Sequence, residues 1–378
     1  MFLIERLIGI GIYSGTLVLV CLLIAFSNIS SKALLRFYTF ALCVMAFFYT
    51  PYTTADLYRI FQTMEWYSTM SFSYFFETYV ATSSVASSRL LFWLIGKSGL
   101  PHLLPVVSAA VSYSLIFYTI HKTQNRYAIS RENTALALFL LMTTSIYISV
   151  IGGIRMMLAM AIIVFCFFRE SVEQKFRWYH IPLYAVALLM HNMAFILFAL
   201  RLLCIVLDSR KKRIVRVVYA LVIGVGGLGA LFVFDDLVFQ IFDNASDYLF
   251  GASYSDPWEY LIGILLLLGF VVLMCKFRPY ISRFADIRTY HIGAILGAAV
   301  AVAFCFVFSI FYRFIGHLVP ILCLPVLMIV LQESQNSYNP RRFRQLSLQS
   351  IVALFGALIL LLSCARGSLS SLKFFTLS

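Results

Sequence analysis

Few residues in this chain are equipped for chemistry, and each stands nearly alone in apolar sequence. Arg155 follows Gly152-Gly153-Ile154 in a tight turn and runs into Met156-Met157-Leu158-Ala159. Glycines let backbone approach a ligand closely, and the next helix begins there with free N–H groups and its positive dipole end. A guanidinium beside them makes an anion site suited to phosphate. Arg313 follows Tyr312 and precedes His317 by four residues, one helical turn, so cation and imidazole are expected on one face. That pair suits a pyrophosphate or a sugar hydroxyl. His191, in His191-Asn192-Met193-Ala194, offers a neutral imidazole as general base or as donor to a phosphate oxygen. Asp56, in Asp56-Leu57-Tyr58-Arg59, and Glu77, in Glu77-Thr78-Tyr79, bracket a segment rich in aromatic residues. A carboxylate there could activate a sugar hydroxyl while ring faces stack on sugars. Arg89, after Ser87-Ser88, is a third candidate anion contact. The competing readings are arginines snorkelling to lipid headgroups, histidines satisfied locally, and carboxylates paired with Arg59 or Arg89 on a solvated amphipathic helix.

Composition indicates what holds these groups in place. Of 378 residues, 62% are hydrophobic and 12% charged, about half the charge usual in a soluble domain. The charges fall in short clusters between apolar runs of about 15–21 residues, the length that crosses a hydrocarbon core. In lipid such runs must be helical, because only a helix pairs its backbone groups within the segment. The expected class is therefore all-α, a polytopic membrane protein forming one domain over residues 1–378, with no cleavable signal. About twelve transmembrane helices are expected, near 7–26, 35–52, 101–120, 134–151, 154–168, 179–190, 193–207, 217–234, 259–275, 291–311, 315–332 and 349–366. The pair within 179–207 could instead form a re-entrant hairpin turning at His191-Asn192.

The net charge of +13 fits the positive-inside rule better than a nucleic-acid partner, which is not expected. Dense clusters such as Arg210, Lys211, Lys212, Arg213 and Arg216 mark the cytoplasmic side. Arg89, Arg155 and Arg313 then fall on the other side, where an isolated ionisable group near membrane depth is a functional candidate. Two longer outer segments are expected, an amphipathic loop over 53–100 and an acidic loop over 235–258. The eight cysteines show no CxxC or Cys/His ligand spacing, so no zinc site or disulfide framework is indicated. Neither a Walker-type glycine loop, nor HExxH, nor GxSxG occurs, so cytoplasmic ATP is not the expected energy source. A substrate would arrive already activated.

In order and placement these residues resemble the EpsG-like family of bacterial polysaccharide polymerases, the Wzy type. The resemblance lies in Asp56 with Tyr58, then Glu77, the turn Gly153-Ile154-Arg155 with Ala159 beyond it, the patch His191-Asn192 with Ala194, and Tyr312-Arg313. It departs from the pattern at Thr78, where Pro is expected, and at Met156, where a polar residue is. The resemblance implies a GT-C-like glycosyltransferase in the bacterial cytoplasmic membrane, its site facing the periplasm or exterior. It would transfer a growing glycan from undecaprenyl pyrophosphate to the terminal sugar of a new lipid-linked repeat unit. Arg155 and Arg313, with Arg89 and His317, would bind pyrophosphate, and His191, Asp56 or Glu77 would serve catalysis. No cofactor or metal is implied. The partners would be the undecaprenyl-pyrophosphate-linked oligosaccharide, membrane lipid, and chain-length regulator and flippase proteins. An O-antigen ligase or another lipid-linked-sugar transferase is the alternative enzyme, and a lipid-linked oligosaccharide flippase the alternative of another class.

Overall fold

Tyr13, Leu17, Val20 and Ile24 fall on one stripe of α1 (Phe2–Phe26) and are fully buried, whereas Leu7, Leu19 and Leu22 on the same helix face outward. A helix so patterned packs one stripe on its neighbours and leaves the rest to the surroundings. The computed structural model describes residues 2–53, 55–144, 146–208, 212–221, 257–276, 278–281, 284, 286–303, 311, 313–336, 347–365 and 372–374.

After α1 come α2 (Ser31–Phe47), α3 (Asp56–Ser68) and α4 (Phe72–Phe75), which runs into a π-turn at Phe76–Val80. Next are α5 (Ala86–Lys97), α6 (Leu103–Arg126), α7 (Arg131–Thr143), α8 (Ile146–Gly152) and α9 (Ile154–Ser171). Then follow α10 (His180–Leu188), α11 (Met193–Leu207), α12 (Pro257–Lys276), α13 (Arg278–Ile281) and α14 (Arg288–Ala303). A second π-turn, Phe314–Leu318, leads into α15 (Val319–Asn336), and α16 (Leu348–Ala365) follows. No strand occurs among the described residues, and the all-α expectation stands. Starts are written locally: the Ser30 and Ser130 hydroxyls each accept an N–H at 3.3 Å, from Ala33 and Asn133, capping α2 and α7. Residues Phe314 through Leu331 are buried without a break, so this segment runs through the centre of the bundle.

The expected dozen membrane spans are overturned. Among the described residues, four helices are long and apolar enough to cross a membrane: Ile4–Phe26, Leu103–Arg126, Phe314–Asn336 and Leu348–Ala365. The number rises to five if Arg131–Thr143 and Ile146–Gly152, bent by 57°, form one broken span. Apolar runs that look continuous in sequence break in space. The run at 179–190 yields a helix of nine residues, about 14 Å long against a hydrocarbon core of about 30 Å. Its successor α11 has 15 residues and α2 has 17. Helix α9, long enough at 18 residues, carries Arg155, Arg169 and Glu170. The span expected at 217–234 and the acidic loop at 235–258 lie mostly outside the described residues. The GT-C-like architecture expected with those crossings falls with the count. The long apolar helices still make this a membrane-embedded protein.

Two local devices position the walls of the candidate site. Helices α3 and α5 close on each other at Gly96, where a Cβ would lie 2.5 Å from the Met64 carbonyl oxygen, so only glycine permits the approach. Helices α10 and α11 fold back as a pair, held to the end of α9 by Glu170. That carboxylate accepts the Tyr184 hydroxyl at 3.0 Å and Arg201 Nε at 2.8 Å, and His180 Nδ1 lies 3.1 Å from it. All four side chains are largely buried.

Candidate functional site

A cleft of about 330 Å³ opens between α3, α5 and the start of α9. Asp56, Arg59, Ile60, Thr63 and Tyr67 line it from α3. Val85, Ser88, Arg89 and Phe92 line it from α5 and its approach, and Arg155 from α9. The α3 contribution is a single face, since positions 56, 59, 63 and 67 recur at helical spacing. Three guanidiniums therefore meet one carboxylate. Arg59 pairs with Asp56, the pairing expected of a solvated helix, while both still border the cleft. Arg89 donates Nη1–H to the Tyr79 carbonyl at 2.6 Å, which fixes the guanidinium without neutralising it. Arg155 makes no hydrogen bond or ion pair among the described residues.

The Gly-Gly turn that presents Arg155 is tight: the Gly153 N–H donates to the Ser149 carbonyl at 2.8 Å, and a Cβ on Gly153 would sit 3.1 Å from that same oxygen. His191 lies in the turn between α10 and α11. The Ser87 N–H donates to the Leu189 carbonyl at 3.0 Å, tying this turn to the start of α5 and so to the Arg89 wall. His191 Nδ1 accepts the Met193 N–H at 3.1 Å. Burial, then the guanidiniums of Arg155 and Arg313, push its pKa down from 6.5 to about 3, so the ring is neutral. With Nδ1 accepting, the ring hydrogen sits on Nε2.

The structure thus brings Asp56, Arg89 and Arg155 together in the cleft, and sets His191 within electrostatic reach of Arg155 and Arg313. Glu77 is exposed on the first π-turn and does not line the cleft. His317 is 3% exposed, and the Ser149 hydroxyl lies 3.1 and 3.0 Å from its two ring nitrogens. It ties the second π-turn to α8, the helix that leads into the Arg155 turn. A π-turn adds about one residue per turn to the α-helical period, yet the Arg313 guanidinium remains within electrostatic reach of the His317 ring. Among the described residues no group of three or more His, Cys, Asp or Glu side chains is placed to hold a metal ion.

The profile of the EpsG family matches residues 88–366. The chain belongs to that family. The match takes in Arg89, Arg155, His191, Arg313 and His317, and starts after the α3 wall with Asp56, Arg59 and Tyr67. Neither the curated proteins nor the solved structures contain a match. EpsG membership is consistent with the Wzy-type polysaccharide polymerases, and the general activity that goes with it is glycosyl transfer by a membrane-associated protein.

Sequence reasoning passed over several residues that the cleft and its supports use. Thr63 and Tyr67 continue the face begun by Asp56 and Arg59, a signal present in the spacing. Glu170 and Arg201 carry no such signal, because their partnership spans 31 residues and two helices.

Proposed function

We propose that this EpsG-family chain is a polysaccharide polymerase that moves a growing glycan from undecaprenyl pyrophosphate to the terminal sugar of a fresh lipid-linked repeat unit on the non-cytoplasmic face. The observation that carries the reading is Arg155. It is unpaired among the described residues, shares a cleft with Arg89 and Asp56, and acts electrostatically on His191.

In the reaction, a hydroxyl oxygen of the acceptor sugar bonds to the anomeric carbon of the growing chain. The bond from that carbon to the pyrophosphate oxygen breaks, and its electron pair departs with the pyrophosphate. Charge therefore develops on phosphate oxygens, and fixed guanidiniums lower the barrier most when they are already aimed there. Arg89 and Arg155 take this role, with Arg313 reinforcing the field from beside His191. The hydroxyl proton needs an acceptor. Asp56 suits it better than His191, because the one lone pair of the neutral ring that could take a proton, on Nδ1, is already engaged by the Met193 N–H. His191 instead offers Nε2–H to a phosphate oxygen. Replacing Arg155 by Ala, with membrane insertion verified, tests the reading through the length of the surface glycan. Long chains that persist unchanged would sink it.

A further inference from the structure

Tyr67 is the one buried side chain among the α3 residues that line the cleft, at 6% exposure. Aromatic neighbours hold its ring, with Phe75 centred 4.9 Å away, Tyr79 at 5.3 Å and Trp66 at 5.6 Å. A phenylalanine ring would meet all three equally well. The hydroxyl is what the packing does not explain. Among the described residues it has no hydrogen-bond partner, and it is not sealed inside the protein. It borders the cleft, where Arg89 and Arg155 are the cations that act on it.

Guanidiniums only donate hydrogen bonds, and a neutral phenol beside them can donate as well. Burial keeps the Tyr67 pKa above its ordinary value despite the two arginines, so the proton stays on the oxygen. Three donors thus converge on one space from α3, α5 and α9. The carboxylate bordering the same cleft, Asp56, is paired with Arg59. Donors arranged in this way match a ligand that brings several acceptor oxygens of its own.

We infer that the Tyr67 hydroxyl donates to a phosphate oxygen of the isoprenoid diphosphate, between Arg89 and Arg155. The inference rests on the polymerase reading and adds to it a contact from the wall that precedes the family match. Tyr67→Phe isolates it, since the change removes one oxygen and leaves the ring packing in place.

The test uses full-length protein in phosphatidylcholine nanodiscs, with undecaprenyl pyrophosphate as one probe and phosphatidylglycerol as another. Tyr67→Phe should be made and inserted like the parent. It should bind undecaprenyl pyrophosphate about 10- to 100-fold more weakly, the range for one hydrogen bond to a charged group, with phosphatidylglycerol binding unchanged. Unchanged affinity for the diphosphate overturns the inference, as does an equal loss toward both lipids, which would mark a general headgroup contact. Arg155→Ala separates the hydroxyl assignment from the polymerase reading. If it abolishes diphosphate binding while Tyr67→Phe does not, the hydroxyl assignment fails and the polymerase reading survives. If neither variant loses binding, both fall.

Discussion

The two ends of α9 carry arginines in opposite situations. At its start, Arg155 borders a cleft and has no protein partner among the described residues. At its end, Arg169 pairs with Glu173 at 3.2 Å and also donates to the Tyr179 hydroxyl, while Tyr118 donates to Glu173 at 2.7 Å. Beside them Glu170 gathers Arg201, His180 and Tyr184. A buried ionic network holds the α10–α11 pair in place, and a cation left open is available to a ligand. The same residue type on one helix thus serves structure at one end and, on the proposed reading, chemistry at the other.

Disrupting the networked end should have the largest effect. Glu170→Ala leaves a buried guanidinium uncompensated, a change that costs about 3–5 kcal/mol in comparable sites, and should appear as lost protein or a lowered melting temperature. Replacing both partners with apolar residues, Glu170→Leu with Arg201→Met, should recover most of that stability. If the single change alone is silent, the network is not what holds the pair. The open end should behave in the reverse sense. Arg155→Ala should lower polymerisation on the order of 100-fold with an unchanged melting temperature, and a large stability loss there would erase the contrast between the ends.

Smaller effects refine the contrast. Gly96→Ala forces a methyl group against the Met64 carbonyl and should part the α3 and α5 walls, costing about 1–3 kcal/mol and weakening diphosphate binding with it. The smallest effect is a pH slope. His191 stays neutral in the folded chain down to about pH 3, whereas the unfolded chain takes up a proton below about 6.5. The unfolded state therefore binds more protons in that window, and stability falls as pH drops from 6.5 toward 3. Melting temperatures of His191→Asn and the parent, compared at pH 7 and pH 5, should differ in slope, with the variant the flatter.

Much of the site was legible because its signals are local. The turn Gly152-Gly153-Ile154-Arg155 and the polar break at His191-Asn192 both announce themselves within a few residues, and both face the cationic region. Asp56 and Arg89 were legible as isolated charges. Glu77 and His317 were legible as ionisable groups in apolar sequence, but each lies in a π-turn and neither lines the cleft. Tyr67 was hidden among many aromatics, and only its placement in the cleft distinguishes its oxygen. The span count failed on length. Hydropathy registers apolar character, but it does not register that the chain bends by 57° between α7 and α8 or turns back after the nine residues of α10.

The unbroken burial of Phe314 through Leu331 has a consequence for mutational tolerance. Acyl chains are as apolar as leucine, so a helix leaving lipid for such a central position gains from close fit rather than from escape from water. Shape is then scrutinised around its whole circumference. Along α1 a substitution scan should rise and fall with each helical turn, whereas from Phe314 to Leu331 it should stay uniformly severe, a flat trace that identifies this stretch as the axle of the bundle.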